Sequence, residues 1–202
     1  MRPLGDVLYN FRWIEPGKGA RASRAYGGFL GSFLERHEIG VMINVRGPEP
    51  NWRGWRKEKR VCTELGIEHR DVMLSAQRLP TRNMLLTLLD AIDEGPGPVL
   101  LKCSGGRNRA NFASALYIIH RQGWDAFKTA QRQFPRWPFL RGLPGRQRWL
   151  KLFLVFARAD AKGRPLREWI TFAYDPLRFK SWLEAHGEAD SFHELYDPAL
   201  GL

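Results

Sequence analysis

Two residues at short spacing could do chemistry together. Cys103 is followed, after five small or polar residues, by Arg109. A thiolate is a strong nucleophile, and a guanidinium can hold two oxygens of an oxyanion in a fork. The intervening Ser104, Gly105, Gly106, Arg107 and Asn108 include two glycines, which let backbone N–H groups turn inward as an anion-binding nest. Val99, Leu100 and Leu101 before the cysteine read as a buried strand. Phe112, Ala115, Leu116 and Ile119 after the arginine recur at helical spacing. The cysteine therefore ends a strand and the arginine opens a helix. The helix N-terminus adds partial positive charge to the nest and would favour the thiolate. This arrangement suits attack on a phosphoryl group, with Cys103 as nucleophile, Arg109 as clamp and residues 104–108 lining the anion.

The elements that must position this loop are legible from periodicity. Residues 7–14, 41–45, 67–74 and 99–103 read as strands, and 41–45 (VMINV) has the unbroken apolar character of a parallel strand buried on both faces. Helices are expected over 28–37, 52–65, 81–92, 124–134 and 176–186. Thr81 is placed to cap the third of these, and the Gly95-Pro96-Gly97-Pro98 turn to stop it. Strands alternating with helices predict an α/β fold with a mostly parallel central sheet. A strand-end loop then lies at the carboxyl edge of the sheet, where open α/β folds bind ligands. Two regions are expected, a catalytic core over 1–134 and a helical, basic C-terminal extension over 135–202 packed on it. Within the extension, 135–145 reads as a loop rich in Pro, Gly and Arg, and 147–157 as an apolar helix.

The formal charge of +11 comes from 32 Lys and Arg against 21 Asp and Glu. Such a field attracts polyanions, anionic lipid surfaces among them, and says nothing of fold. Hydrophobic residues make up 44%, enough to bury a core rather than leave the chain disordered. Two cysteines, Cys62 and Cys103, cannot make a disulfide framework, so a reducing, cytoplasmic setting is expected. No stretch approaches the ~18–20 apolar residues of a membrane span, and the N-terminus shows no signal-peptide pattern.

The loop and its flanks resemble the signature of the cysteine-dependent tyrosine and dual-specificity phosphatases, in particular bacterial atypical members. The likeness extends to Ile43-Asn44-Val45-Arg46-Gly47, to Gly66-Ile67-Glu68-His69, to residues 74–80, and to Ala115-Leu116-Tyr117 and Gly123-Trp124. It covers roughly residues 21–134. It implies hydrolysis of phosphate monoesters through a phosphocysteine on Cys103, with no cofactor. The substrates implied are phosphorylated proteins or polyanionic and lipid phosphates. Three positions depart from the family pattern. Lys102 stands where the family has His. Ala110 stands where it has a Ser or Thr that assists the thiolate as leaving group. The family's general acid is an Asp roughly 30 residues before the cysteine, which points to Asp71, although Asp71 falls inside an expected strand and also reads as a plain strand-end carboxylate. These departures keep open a second reading, a pseudophosphatase that binds phosphate or polyanions without turnover. A sulfurtransferase of the rhodanese kind is a third, disfavoured by the arginine placement.

The remaining candidates are weaker. The five histidines show no metal-ligand spacing, and no metal is expected. Cys62 reads as a core thiol. Arg53, Arg56, Lys57, Lys59 and Arg60 form either a solvated face or a surface that steers an acidic substrate. Arginines interleaved with Trp137, Phe139 and Trp149 suit a peripheral membrane contact or a polyanion, while Trp149, Leu152, Phe153 and Phe156 suit helix packing. Nucleic acid is not an expected partner, since only charge would argue for it.

Overall fold

The computed structural model describes residues 3–24, 28–134 and 145–196. The expected strand over 7–14 is instead a short helix, α1 (Leu4–Leu8), followed by β1 (Arg12–Glu15). Leu4, Val7 and Leu8 have helical rather than alternating spacing, and all three are exposed. Next comes β2 (Gly19–Ala22), which no sequence signal marks, since Gly-Ala-Arg-Ala lacks β-branched and aromatic residues. Then follow α2 (Leu30–Arg36), β3 (Val41–Asn44), α3 (Arg53–Glu64), β4 (Glu68–Asp71), β5 (Arg78–Leu79), α4 (Arg82–Glu94), β6 (Val99–Lys102) and α5 (Asn108–Gln122). Thr81 Oγ1 accepts from Met84 N at 3.3 Å, as its capping position requires.

Five strands form one sheet in the order β1-β2-β6-β3-β4. β1 runs antiparallel to β2, and the other pairs are parallel, giving the expected mostly parallel sheet flanked by helices. The register places Ala22, Lys102, Asn44 and Asp71 in one row across the carboxyl edge. Residues facing each other across a ladder share a face, so Lys102, Asn44 and Asp71 project to the same side. On that side Ala20, Ala22, Met42 and Leu100 pack with Leu30, Phe33 and Leu34 of α2, with Cys62 of α3, and with Tyr9 and Phe11. Phe33 meets Tyr9 edge-on at 4.7 Å. Val41, Ile43, Val99 and Leu101 on the other face are also fully or nearly fully buried.

The chain divides into two compact units. One is Met1–Leu74 with Asp90–Ser114, and it contains the five-stranded sheet; the other is Ser75–Leu89 with Ala115–Leu202. In the second, the expected helix over 124–134 is a 3₁₀ turn at Trp124–Ala126 followed by α6 (Phe127–Gln131). Beyond it lie α7 (Trp149–Ala161), α8 (Leu166–Phe172), α9 (Pro176–Ala185) and β7 (Glu194–Leu195), which pairs in parallel with β5. α8 went unread in the sequence. α9 is capped by Asp175, whose side chain accepts from Leu177 N at 2.8 Å, and has proline at its first position. Phe153 is ringed by Trp169, Tyr174 and Phe179, with centroids 5.9, 5.4 and 5.3 Å away. The apolar face of α7 is thus an aromatic core. The loop expected over 135–145, with Trp137 and Phe139, lies outside the described residues except for Gly145. Among the described residues, no helix is long and apolar enough to cross a membrane.

Candidate active site

The site is built on the row at the carboxyl edge of the sheet. Cys103 is the first residue past β6, is buried, and its N–H donates to Ala22 O at 3.4 Å. The loop from Cys103 to Asn108 then turns into α5, so the strand-loop-helix order read from the sequence is present.

Three successive loop carbonyls are held from outside. Ser104 O accepts from Arg24 N at 3.2 Å. Gly105 O and Gly106 O each accept from Asn10 Nδ2 at 3.1 Å. Gly106 O also accepts from the buried Arg21 Nη1 at 2.7 Å. A trans peptide sets each carbonyl opposite the next residue's N–H, so the N–H groups of Gly105, Gly106 and Arg107 point to the other side of the loop. That is the geometry of an anion nest. Gly106 has φ +60°, and a Cβ there would lie 2.6 Å from Ser23 N and 2.7 Å from Ala22 C. Only glycine fits a left-handed turn pressed against backbone in this way.

The guanidinium groups of Arg109, Arg46 and Arg24 gather about Ser104 and Glu49. Arg109 Nη2 and Arg46 Nη1 both donate to Ser104 Oγ, at 3.3 and 2.5 Å. Arg46 Nε pairs with Glu49 Oε1 at 2.8 Å, and Arg24 Nη2 pairs with the other oxygen of Glu49. The Arg24 guanidinium also lies over the Trp52 ring, 3.9 Å from its centroid. Burial holds Arg109 below its ordinary pKa. Cys103 and Glu49 pull it back up, while Arg46 and Arg24 push it further down. Arg109, Arg46 and Arg24 thus gather about Glu49 and the Cys103 thiol, a field that an oxyanion would complete.

Behind the loop, Lys102 Nζ forms an ion pair with Glu58 of α3, and each side chain is only 2% exposed. Lys102 replaces the expected histidine, and its charge is answered inside the protein. Cys62, one turn beyond Glu58, has its thiol pushed up to about 12 by burial and then by Glu58, against the pull of Lys102. Asp71 faces the same helix. Its Oδ1 accepts from Asn44 Nδ2 at 2.7 Å and from Trp55 Nε1 at 2.9 Å. Its Oδ2 lies 3.2 Å from Trp55 Nε1 and 3.8 Å from His69 Nδ1.

α3 and the residue before it thus touch the site at three points spaced three residues apart: Trp52 under Arg24, Trp55 on Asp71 and Glu58 on Lys102. The structure brings Cys103, Ser104 and Arg109 together. It also adds Asn10, Arg21, Arg24, Arg46, Glu49 and Glu58, which sequence reasoning missed. Arg46 alone carried a signal, as the arginine of Ile43-Asn44-Val45-Arg46-Gly47.

No protein-family model and no curated protein matches the sequence. Solved structures match by shape. P. aeruginosa TpbA superposes with a TM-score of 0.58 at 20% identity, over 82% of this chain and 93% of that one. The chain has a protein-tyrosine-phosphatase-like fold. The core catalytic domain of PP-IP phosphatase SIW14 from S. cerevisiae matches with a TM-score of 0.50 at 16% identity, over 89% of this chain and 93% of that one. PTPMT1 in complex with PI(5)P matches with a TM-score of 0.51 at 16% identity, over 74% and 98%. TpbA has also been solved in complex with pTyr. In this phosphatase-like fold the Cys103–Arg109 loop follows the sheet strand β6 and leads into α5.

Proposed function

We propose that the protein hydrolyses phosphate monoesters through a phosphocysteine on Cys103. The observation that carries this reading is the loop itself, with three carbonyls tied outward and Arg109 and Arg46 meeting on Ser104 Oγ. The Cys103 thiolate attacks phosphorus, the S–P bond forms, and the P–O bond to the leaving group breaks with its electron pair on oxygen. Arg109 and the loop amides stabilise the equatorial oxygens as charge shifts onto them. Water then attacks phosphorus and the S–P bond breaks, releasing inorganic phosphate and restoring the thiolate.

Asp71, the expected acid, presents both carboxylate oxygens to donors. A carboxyl group oriented as an acceptor on both oxygens is poorly placed to give a proton, so we assign Asp71 to holding α3 against the sheet. The enzyme would then favour substrates whose leaving group departs without a proton, aryl phosphates above all.

The test is phosphate release from an aryl phosphate. Cys103→Ser should abolish it while still binding an oxyanion such as vanadate. Arg109→Ala should lower kcat about 10²–10³-fold, the usual cost of losing one transition-state donor. Wild-type turnover by Cys103→Ser would refute the cysteine mechanism. Tight phosphate binding with no turnover in the wild type would make the protein a phosphate-binding module instead.

A further inference from the structure

We infer that the outer face of α3 is a second anion site, one that takes a soluble polyphosphorylated molecule. Arg53, Arg56, Lys57 and Arg60 line a groove of about 500 Å³. They stand at i, i+3, i+4 and i+7, one stripe of the helix, opposite the face that carries Trp55, Glu58 and Cys62. No acidic residue is among those lining the groove.

Like charges at these spacings repel one another and weaken a helix. α3 carries four of them in succession on one stripe, and Glu64, the acid on that stripe, comes only at its far end. Two contacts shape the groove. Arg56 Nη1 donates to Pro50 O at 2.8 Å, which orients that guanidinium at the first turn. At the far end Arg60 Nε stands 3.5 Å from Glu64, an exposed pair. Lys59, the fifth cation of the run, turns away and lies over the Trp55 ring at 4.9 Å. The run is therefore sorted, with four residues lining one groove and the fifth placed elsewhere.

The groove is the size of a small-molecule site, within the usual range of about 300–1,000 Å³. Its lining offers guanidinium forks, which match phosphate oxygens, and no carboxylate that would repel them. A compact ligand with several phosphates satisfies both properties. A flat lipid surface would meet only the rim of a concave groove. The inference does not depend on Cys103 chemistry, because none of the four lining residues belongs to the loop.

The test is calorimetric titration of the full chain, carrying Cys103→Ser, with inositol hexakisphosphate. The same titration is run with Arg53→Gln, Arg56→Gln and Arg60→Gln combined, and with Arg109→Ala. Removing three phosphate-pairing charges should weaken binding about tenfold or more and flatten its salt dependence. Glutamine is a good helix former, and relief of repulsion should leave the melting temperature equal or higher. Aryl phosphate hydrolysis by the triple variant in the Cys103 background should be unchanged, which separates this inference from the phosphatase reading. Equal affinity in the triple variant would overturn it. So would loss of binding in Arg109→Ala alone, or dependence on these arginines for phosphatidylserine vesicles but not for inositol hexakisphosphate.

Discussion

Trp55 Nε1 donates to both carboxylate oxygens of Asp71, at 2.9 and 3.2 Å, and so ties the first turn of α3 to the end of β4. Asn44, the neighbour of Asp71 across the ladder, adds a third donated bond at 2.7 Å. A carboxylate in this position organises its surroundings. Asp71→Asn should therefore slow hydrolysis of alkyl and aryl phosphates by similar, modest factors. A general acid would behave otherwise, costing about 10²–10⁴-fold with the poor alkyl leaving group and little with the aryl one. Steady-state kinetics on one substrate of each kind decide the matter, and a selective alkyl loss would return the acid role to Asp71.

The Lys102–Glu58 pair makes a prediction about stability. Both groups are buried, so removing one strands the other. Lys102→Met should destabilise the protein by about 3–5 kcal/mol, read as a fall in the denaturant midpoint. Lys102→Met combined with Glu58→Leu should recover most of that loss, because an apolar pair of similar volume needs no compensation. If the double variant is as unstable as the single, the pair is not a closed unit.

Much of the architecture could be read from the chain because its elements carry local signals. The apolar run VMINV, the helical periodicity of residues 81–92 and the glycines between Cys103 and Arg109 each report their own conformation. β2 could not be read this way, since Ala20 and Ala22 become strand residues only by lying beside Leu100 and Lys102. The same limit applied at the site. Arg24 and Glu49 meet across 25 residues, and Lys102 meets Glu58 across 44. No spacing rule connects such partners. The cluster of arginines around Ser104 is a product of the parallel register, which brings separate loops to one edge.

His69 predicts a pH dependence. Burial pushes its imidazole down to about 4; Lys102 and Lys59 add to that depression, and Asp71 opposes it. Below the unfolded value near 6.5, the unfolded chain binds a proton that the folded protein refuses until about pH 4. Stability should therefore fall as pH drops through this window, by about 3 kcal/mol in all from this residue. His69→Leu should flatten that part of the curve, as measured by urea unfolding between pH 7 and 4. An unchanged slope would mean that His69 titrates alike in both states.

The last prediction concerns the second chemical step, where Ala110 lacks the hydroxyl expected to assist the departing thiolate. Ala110 is fully buried, and its carbonyl accepts from Ser114 Oγ at 2.6 Å, which commits the Ser114 proton. Ser104 is differently placed. Its oxygen accepts from both Arg46 and Arg109, filling its two lone pairs and leaving its own proton to give. It also adjoins Cys103 in the chain. Ser104 should thus supply the hydrogen bond that Ala110 cannot. Ser104→Ala should lower steady-state turnover of an aryl phosphate about tenfold, the worth of one such bond, while kcat/KM changes little. Rapid-quench measurements should show a larger phosphoenzyme burst in that variant. Adding Ala110→Ser should shrink the burst again by restoring a hydroxyl at the start of α5. If Ser104→Ala instead depresses kcat/KM and leaves no burst, Ser104 serves only to space the two arginines, and hydrolysis of the phosphoenzyme does not depend on a hydroxyl in the loop.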